Sequence, residues 1–588
     1  MSTPGDPPAV LAEALAALRS TVAGTSYPLA LPDAAEAGGV RDFLVTQLDD
    51  YLVPRLTQPD APLLAVVGGS TGAGKSTLVN SLAQAPVSPV GVLRPTTRAP
   101  VLVSHPGDTP WFRRPHVLPG LVRTNQPARD PGSVQLVTAH ALTPGLALLD
   151  SPDIDSVVDD NRALASKLLA AADLWLFVTS AARYADAVHW ELLHTARERG
   201  TPVALVLNRV APEVADEVSR HLAELLTTHG FGDLPLFVVP ETAVAGQGLL
   251  PEPAITQLRT WLGELARDAA ARAAVARQAT AGAVAAATGL VDGLAAAADD
   301  QASAVHALAD RTRAAYRVAF SAVDEGIRDG ALLRGEVLDR WQEYVGTGEL
   351  FGGLLARIGR LRDQMGTIVT GRPKGGRALK AAIRSSVATL VRAAATEAAE
   401  QAAAAWRADP AGAHLLAAGQ TDEPGDLGRP SDDLDWRIER LVREWQREVL
   451  RLVGAEAGGK RAGARLAAYA VNAGGLLVMM GVCASAPRLP AGPEAGGDDT
   501  AAPAQQVLAA VFGDQTIRDL AARAREDLLA RVRALFDHEE RRYLDRIAAM
   551  GVEAQAAGRL HAAAAAVRRA AAAAGLAAPV PADEPVPA

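Results

Sequence analysis

A glycine-rich segment at residues 69–76 has the residue types and the spacing needed to hold phosphate groups. It reads GSTGAGKS, fits G-x-x-x-x-G-K-[ST], and lies between the apolar run LLAVV and the helix-like run TLVNSLAQA. In such a loop the glycines let backbone N–H groups turn towards phosphate oxygens, the lysine reaches the β- and γ-phosphates and the hydroxyl binds Mg²⁺. The residues predicted to bind nucleotide here are Gly69, Ser70, Thr71, Gly72, Ala73, Gly74, Lys75, Ser76 and Thr77.

Two later segments have residues that could complete a magnesium site. The first is RPTTR at 94–98, in the region where P-loop switch proteins place a threonine against Mg²⁺ and the γ-phosphate; Thr97 is preferred and Thr96 is second. The second is LLDSPD, in which Asp150 ends an apolar run, as does the aspartate that holds Mg²⁺ in many P-loop enzymes. The predicted catalytic residues are Lys75, Thr97 and Asp150, and the predicted metal ligands are Ser76, Thr97 and Asp150.

A base-recognition motif is present only in part. The run VALVL is followed by NRVA at 208–211, at the position of the [NT]-K-x-D motif that reads guanine in GTPases. Asn208 matches, Arg209 replaces the lysine, and Ala211 stands where the base-binding aspartate is expected, with Glu213 two residues further on. Asn208 and Arg209 are predicted to contact the nucleotide, and the missing carboxylate leaves the choice between guanine and adenine open.

Short apolar runs alternate with helix-length segments around these motifs. The runs are continuous rather than alternating in polarity, which is typical of parallel strands that are buried on both faces. They lie at 63–67, 146–150, 174–178, 203–207 and 236–239. The sequence therefore predicts an α/β domain with a mostly parallel sheet, whose strand ends would carry the nucleotide site.

The rest of the 588-residue chain is rich in alanine and predicted to be helical. Phe, Trp and Tyr together make up 4% of the chain, and alanine favours long helices over an all-β fold. We predict N-terminal helices at 1–57 that pack with a helical stalk, a P-loop domain at 58–254, the elongated helical bundle of that stalk at 255–575, and a disordered tail at 576–588.

The order of motifs is similar to that of translation-factor-like P-loop GTPases and, more closely, resembles that of the bacterial dynamin-like proteins. The similarity lies in GGSTGAGKST, in RPTTR, in DSPDIDS followed by DNR at 160–162, and in a nucleotide domain with helices on both flanks. The chain looks most like the paired dynamin-like GTPases of actinomycetes. This resemblance implies binding and hydrolysis of GTP with Mg²⁺, self-assembly as a homo-oligomer or with a paired partner, remodelling of a membrane, and a role at the division septum. The departures from the family pattern, which are the incomplete base motif and Asp153, indicate that hydrolysis is slow.

One position departs from the usual third switch motif, D-x-x-G. Asp153 stands where that motif has glycine. The backbone N–H of Asp153 could still reach a γ-phosphate, whereas its carboxylate would repel that phosphate unless it were turned away.

Two segments could contact a membrane. Residues 466–486 carry no charge, and as a helix they would be about 31 Å long; they could form an inserting tip or hairpin, a buried core helix or a true span. Within 350–384, eight basic residues stand against one acid, which suits an anionic lipid surface or a solvated face. Aromatic residues for base stacking are not interleaved there, and the net charge of −9 argues against nucleic acid as a partner.

The single cysteine, Cys483, and the absence of a secretory pattern at the N-terminus favour a cytoplasmic location. Combined with the resemblance, this predicts a protein at the inner face of the cell membrane. Two other classes remain open from the sequence: a soluble regulatory GTPase that docks on a protein or ribosomal partner, and an ATPase. Competition between ATP and GTP, and binding to lipid vesicles, separate these alternatives.

Overall fold

The structure is a computed structural model of the chain. It describes residues 6–58, 61–90, 99–114, 117–118, 120–127, 130, 132–153, 159–184, 186–242, 248–329, 332, 336–337, 339–340, 343, 375–418, 426–458, 471, 474–476, 478–482 and 514–576. These residues fall into two compact units. The first contains residues 1–27, 32–300 and 553–588, and the second contains residues 28–31 and 301–552.

The first unit is built on an eight-stranded sheet. In chain order the strands are β1 (Leu63–Gly69), β2 (Val101–Ser104), β3 (Val122–Thr124), β4 (Ser133–Thr138), β5 (Leu146–Asp150), β6 (Leu174–Ser180), β7 (Val203–Val210) and β8 (Leu236–Pro240). Their order across the sheet is β3-β4-β2-β5-β1-β6-β7-β8. All neighbouring pairs are parallel except β2 with β5. The mostly parallel α/β domain predicted from the sequence is confirmed.

The central strands are buried on both faces, which explains their continuous apolar runs. On β1, Leu64 and Val66 belong to one apolar cluster, while Leu63, Ala65 and Val67 belong to another. Successive side chains of a strand point to opposite faces, so each face of the sheet has its own layer of covering helices.

The helices of the first unit come from three parts of the chain. They are α1 (Pro7–Gly24), α2 (Ala34–Gln47), α3 (Val53–Thr57), α4 (Lys75–Ala83), α5 (Thr109–Arg113), α6 (Asp159–Ala170), α7 (Ala187–Glu198), α8 (Ala215–Thr228), α9 (Glu252–Arg267), the first part of α10 (Ala269–Arg328) and, near the C-terminus, α15 (Ala556–Ala573). A π-helical turn, Leu48–Leu52, connects α2 to α3.

These groupings differ from the predicted domain boundaries. Helix α9 packs its buried face, including Ile255, Leu258 and Leu262, into the same apolar cluster as β1 and α4. It therefore belongs with the sheet and not with the helical region predicted to begin at residue 255. Helix α1 packs against α15, and both helices lie in the first unit.

The described residues of the second unit are mostly helical and include no strand. It contains the second part of α10, followed by α11 (Gly375–Arg407), α12 (Pro410–Ala418), α13 (Leu434–Gly458) and α14 (Asp514–Ala548). Its core holds the fully buried rings of Trp406, Trp445 and Tyr543. Their polar atoms are satisfied: the Trp445 Nε1–H donates to the Ala524 carbonyl at 2.8 Å, and the Tyr543 hydroxyl donates to the Ala399 carbonyl at 2.9 Å.

The uncharged segment 466–486 is described only in part. Its described members Leu476, Val478, Met479, Met480 and Val482 are buried in the core of the second unit, as in the core-helix alternative. Among the described helices, α10 alone is long and apolar enough to cross a membrane, and 56% of its most apolar window is buried within the protein.

Candidate nucleotide site

The phosphate-binding loop connects the end of β1 to the start of α4. Gly69, Gly72 and Gly74 have φ angles of 148°, 78° and 90°, values that favour glycine. At Gly74, the residue before α4, a Cβ would also stand 2.5 Å from Asn208 Nδ2. Backbone geometry and close packing thus both require glycine, and the loop leads directly into a helix N-terminus, which attracts anions.

Lys75 is the first residue of α4, and its side chain is buried. The Nζ atom donates to the Gly69 carbonyl at 2.9 Å and to the Ser70 carbonyl at 3.0 Å, so the ammonium lies across the loop. It also contacts Asp153 Oδ1 at 2.5 Å. The ammonium therefore lies where a P-loop lysine contacts phosphate oxygens. Its ionic partner is the carboxylate of Asp153, the residue that stands where the third switch motif usually has glycine.

Asp150 ends β5 beside the loop and is fully buried. The Ser88 hydroxyl donates to its Oδ2 at 2.5 Å. Burial raises the pKa of the Asp150 carboxyl, while the Ser88 and Ser76 hydroxyls and the charge of Lys75 lower that pKa. Its other oxygen, Oδ1, is buried without a hydrogen bond from any described residue.

That arrangement fits a magnesium ion. A buried carboxylate oxygen without a partner, next to the Ser76 hydroxyl, offers the hard oxygen ligands that Mg²⁺ prefers. Held there together with nucleotide, the ion would supply positive charge that stabilises the charge developing during phosphoryl transfer. Asp150 and Ser76 would hold it, as their sequence positions predict. The predicted third ligand, Thr97, lies in 91–98, outside the described residues, as do Thr96, Arg94 and Arg98.

Ser88 was not predicted from the sequence. Asn80 of α4 positions it: Asn80 Oδ1 accepts hydrogen bonds from the backbone N–H groups of Val87 and Ser88 at 2.9 and 2.7 Å, and Asn80 Nδ2 donates to the Ser88 carbonyl at 2.8 Å. The loop after α4 is thereby tied to the helix, and its serine reaches Asp150. No motif spacing signals this contact, because it depends on how the loop folds back.

Asn208 and Arg209 lie on the other side of the loop, at the end of β7. Asn208 is buried, its Nδ2 donates to the Ala73 carbonyl at 2.7 Å, and its Oδ1 accepts from the Arg209 N–H at 3.0 Å. Arg209 has a φ of 56° at an irregularity of the β7–β8 pairing, and its side chain is exposed. The structure thus brings the partial base motif against the phosphate loop. Glu213 is exposed in the turn that follows.

Arg183 is a further cation beside the loop that the sequence did not single out. It lies after β6, its Nε contacts Asp186 at 2.9 Å, and its Nη1 lies 3.5 Å from the Thr71 carbonyl. Among the described residues the site therefore joins the ends of β1, β5, β6 and β7, which is the edge where ligands bind in parallel α/β sheets.

Comparison with known proteins identifies the class of this domain. Residues 64–209 match a family model described as 50S ribosome-binding GTPase. A search of curated proteins found no match. Among solved structures, Aquifex aeolicus Era bound to GDP·AlF₄⁻ is 21% identical with a TM-score of 0.23, and the match covers 34% of this chain and 56% of that one.

Some of the solved structures match over nearly the full length of the chain, and two of them serve as examples. One, described as an oligomerised bacterial dynamin pair, is 10% identical with a TM-score of 0.40 and covers 95% of this chain and 94% of that one. The other, the bacterial dynamin GTPase LeoA from ETEC, is 10% identical with a TM-score of 0.24 and covers 96% and 98%. The family match and the loop geometry together make residues 64–209 a P-loop GTPase domain, a class of domain that hydrolyses GTP with Mg²⁺.

Proposed function

We propose that the chain is a dynamin-like GTPase whose nucleotide state controls self-association on a membrane surface. The observation that carries the proposal is the packing of helices from both ends of the chain in the unit that holds the nucleotide site. Leu11, Leu15 and Leu18 of α1 share an apolar cluster with Leu560 and Val567 of α15. Sheet residues such as Leu64 and Val66 belong to the same cluster.

Through this packing, nucleotide binding can change the positions of the flanking helices. Clusters of closely packed side chains transmit displacements because interiors are dense and yield little. A displacement of the strand ends that hold the phosphates would therefore also displace α1 and α15. In our proposal these helices alter how one copy contacts a second copy or a paired dynamin-like partner, as the resemblance implies.

The proposed membrane contact is the basic segment within 350–384. Its members up to residue 374 lie outside the described residues. In the described part, Arg377 and Arg384 of α11 are exposed and Lys380 is partly buried; burial lowers the pKa of Lys380. Exposed basic side chains attract anionic lipid headgroups. The protein would bind peripherally at the inner face of the cell membrane, with cell division as the proposed process and no nucleic acid as partner.

Vesicle co-sedimentation of the full-length chain tests the membrane part. Phosphatidylglycerol-containing vesicles are mixed with protein and Mg²⁺, with no nucleotide, GDP or a non-hydrolysable GTP analogue. We expect the analogue to increase the bound fraction several-fold and to increase particle mass in light scattering. Lys75→Ala should remove that dependence while leaving any basal lipid binding. Equal sedimentation with and without vesicles in every nucleotide state would overturn the proposal.

A second candidate is a soluble regulatory GTPase that docks on a protein or ribosomal partner. The description of the family that matches residues 64–209 favours it. Nucleotide-dependent co-sedimentation with purified 50S subunits, without binding to vesicles, would select this candidate over the membrane proposal.

A further inference from the structure

The ammonium of Lys75 has all its hydrogen-bonding capacity in use within the protein. A lysine ammonium has three N–H donors and no acceptor. Its contacts are the Gly69 carbonyl at 2.9 Å, the Ser70 carbonyl at 3.0 Å and Asp153 Oδ1 at 2.5 Å. Two of these acceptors are neutral carbonyls of the loop itself, so Asp153 supplies the negative charge.

This ion pair is shielded from water. The side chains of Lys75 and Asp153 are 5% and 17% exposed, and a shielded pair is weakened less by solvent and salt than a surface pair. Two residues before Asp153, the Ser151 hydroxyl donates to the Val67 carbonyl at 2.9 Å, and this bond ties the chain to β1. The carboxylate is therefore held close to the lysine by its own backbone.

We propose that Asp153 competes with the phosphates of the nucleotide for Lys75 and so sets the affinity of the chain for nucleoside di- and triphosphates. The proposal rests on the assignment of the loop as a nucleotide site. A phosphate oxygen can reach the ammonium only when the carboxylate leaves it, because the other two donors hold the loop. Two anions at one ammonium also repel each other strongly in a shielded site.

Such competition lowers the affinity for nucleotide by a constant factor. The apparent Kd equals the intrinsic Kd divided by the fraction of molecules in which Lys75 is free of Asp153. If Asp153 holds the lysine in most molecules, removal of its charge raises that fraction towards one. The chain then binds both GDP and GTP more tightly. Since phosphate must wait for the carboxylate to leave, association also becomes faster.

The experiment measures binding of fluorescent GDP and GTP analogues to the full-length chain by equilibrium titration and stopped flow. We expect Asp153→Asn to lower the Kd by about tenfold or more and to raise the association rate constant. Asp233→Asn is the matched control: it removes the same charge from an exposed position in the loop before β8, and it should bind as the wild type does. Circular dichroism and thermal unfolding check that each variant is folded.

Lys75→Ala separates failure of this inference from failure of the nucleotide site. In the Lys75→Ala background, Asp153→Asn should improve binding by a much smaller factor than in the wild type, since only direct repulsion between the carboxylate and phosphate remains there. If Lys75→Ala abolishes binding and Asp153→Asn binds no more tightly than the wild type, the competition is overturned and the site stands. If Lys75→Ala binds normally, or the wild type itself binds no nucleotide, both are overturned.

Discussion

Two aspartates are buried at opposite edges of the same sheet, and they differ in how their oxygens are satisfied. Asp173 lies just before β6, at the edge where the parallel strands begin. Its Oδ1 accepts hydrogen bonds from the Tyr51 hydroxyl at 3.1 Å and Arg55 Nε at 2.9 Å. Its Oδ2 accepts from the Leu64 N–H at 2.8 Å and from Arg55 Nη2. Asp150, at the end of β5, has one oxygen with no partner among the described residues.

Burial raises the pKa of both carboxyls. The two carboxyls differ in the groups that oppose this effect of burial on the pKa. At Asp173 the opposing groups are the Arg55 charge, the Leu64 N–H and the Tyr51 hydroxyl, which together use every oxygen. At Asp150 they are two hydroxyls and a lysine charge, which leave room for a ligand. A fully satisfied buried charge serves the fold, whereas a partly satisfied one is suited to hold an ion.

The largest expected effect is on stability, where the two carboxylates should behave in opposite ways. Asp173→Asn leaves the buried guanidinium of Arg55 without its counter-charge, and we expect it to lower the free energy of unfolding by about 3–5 kcal/mol. Asp150→Asn removes a buried charge that is only partly satisfied, and we expect a change of about 1 kcal/mol or less, of either sign. Denaturant unfolding of both full-length variants measures this. Similar losses for the two variants would remove the distinction.

Within the sheet that carries both aspartates, the sequence predicts the strands that have a clear local pattern. β1, β5, β6, β7 and β8 follow from continuous apolar runs, because strands covered on both faces have no polar side. β2, β3 and β4 were not predicted. β3 has only three residues, and Val122 within it is 67% exposed, so apolar content gives little signal there.

Contacts between distant residues could not be predicted from spacing. Lys75 and Asp150 follow from the motifs, but the pairing of Lys75 with Asp153 joins residues 78 positions apart, and that of Arg55 with Asp173 joins residues 118 apart. Both depend on which strand ends the sheet brings together. For the same reason the sequence could not show whether the Asp153 carboxylate faces the phosphate site or turns away from it.

The second prediction concerns magnesium and pH at the partly satisfied carboxylate. Mg²⁺ binds the ionised form, so its affinity should fall as the pH drops through the raised pKa of Asp150, by about tenfold per pH unit below that pKa. The fall should begin at a higher pH than for an ordinary carboxyl, whose pKa is 3.8. The readout is the Mg²⁺ concentration that half-maximally slows release of a fluorescent GDP analogue between pH 7.5 and 5.

The control for this prediction is Asp150→Asn, which cannot titrate at that position. Its remaining pH dependence reports the titration of the nucleotide phosphates alone. A half-maximal Mg²⁺ concentration at pH 7.5 that is the same for the wild type and for Asp150→Asn would show that Asp150 does not hold the ion.

The smallest expected effect concerns base selectivity at the end of β7. Both ends of the Asn208 amide make hydrogen bonds within the protein, to the Ala73 carbonyl and from the Arg209 N–H, and Ala211 has no carboxylate to accept from the guanine N–H groups. We therefore expect a modest preference for GTP over ATP. Ala211→Asp should increase that preference about tenfold, because one charged acceptor then pairs with the base.

Competition of GTP and ATP against a fluorescent GDP analogue measures this ratio, with Ala211→Asn as the uncharged control of similar size. If Ala211→Asp leaves the ratio unchanged, the base does not lie against this turn, and exposed Glu213 becomes the carboxylate to test. Ala211→Asp also extends the comparison with Asp173. The carboxylate of Asp173 has its partners within the protein, whereas one introduced at residue 211 would gain its partner only when nucleotide is bound.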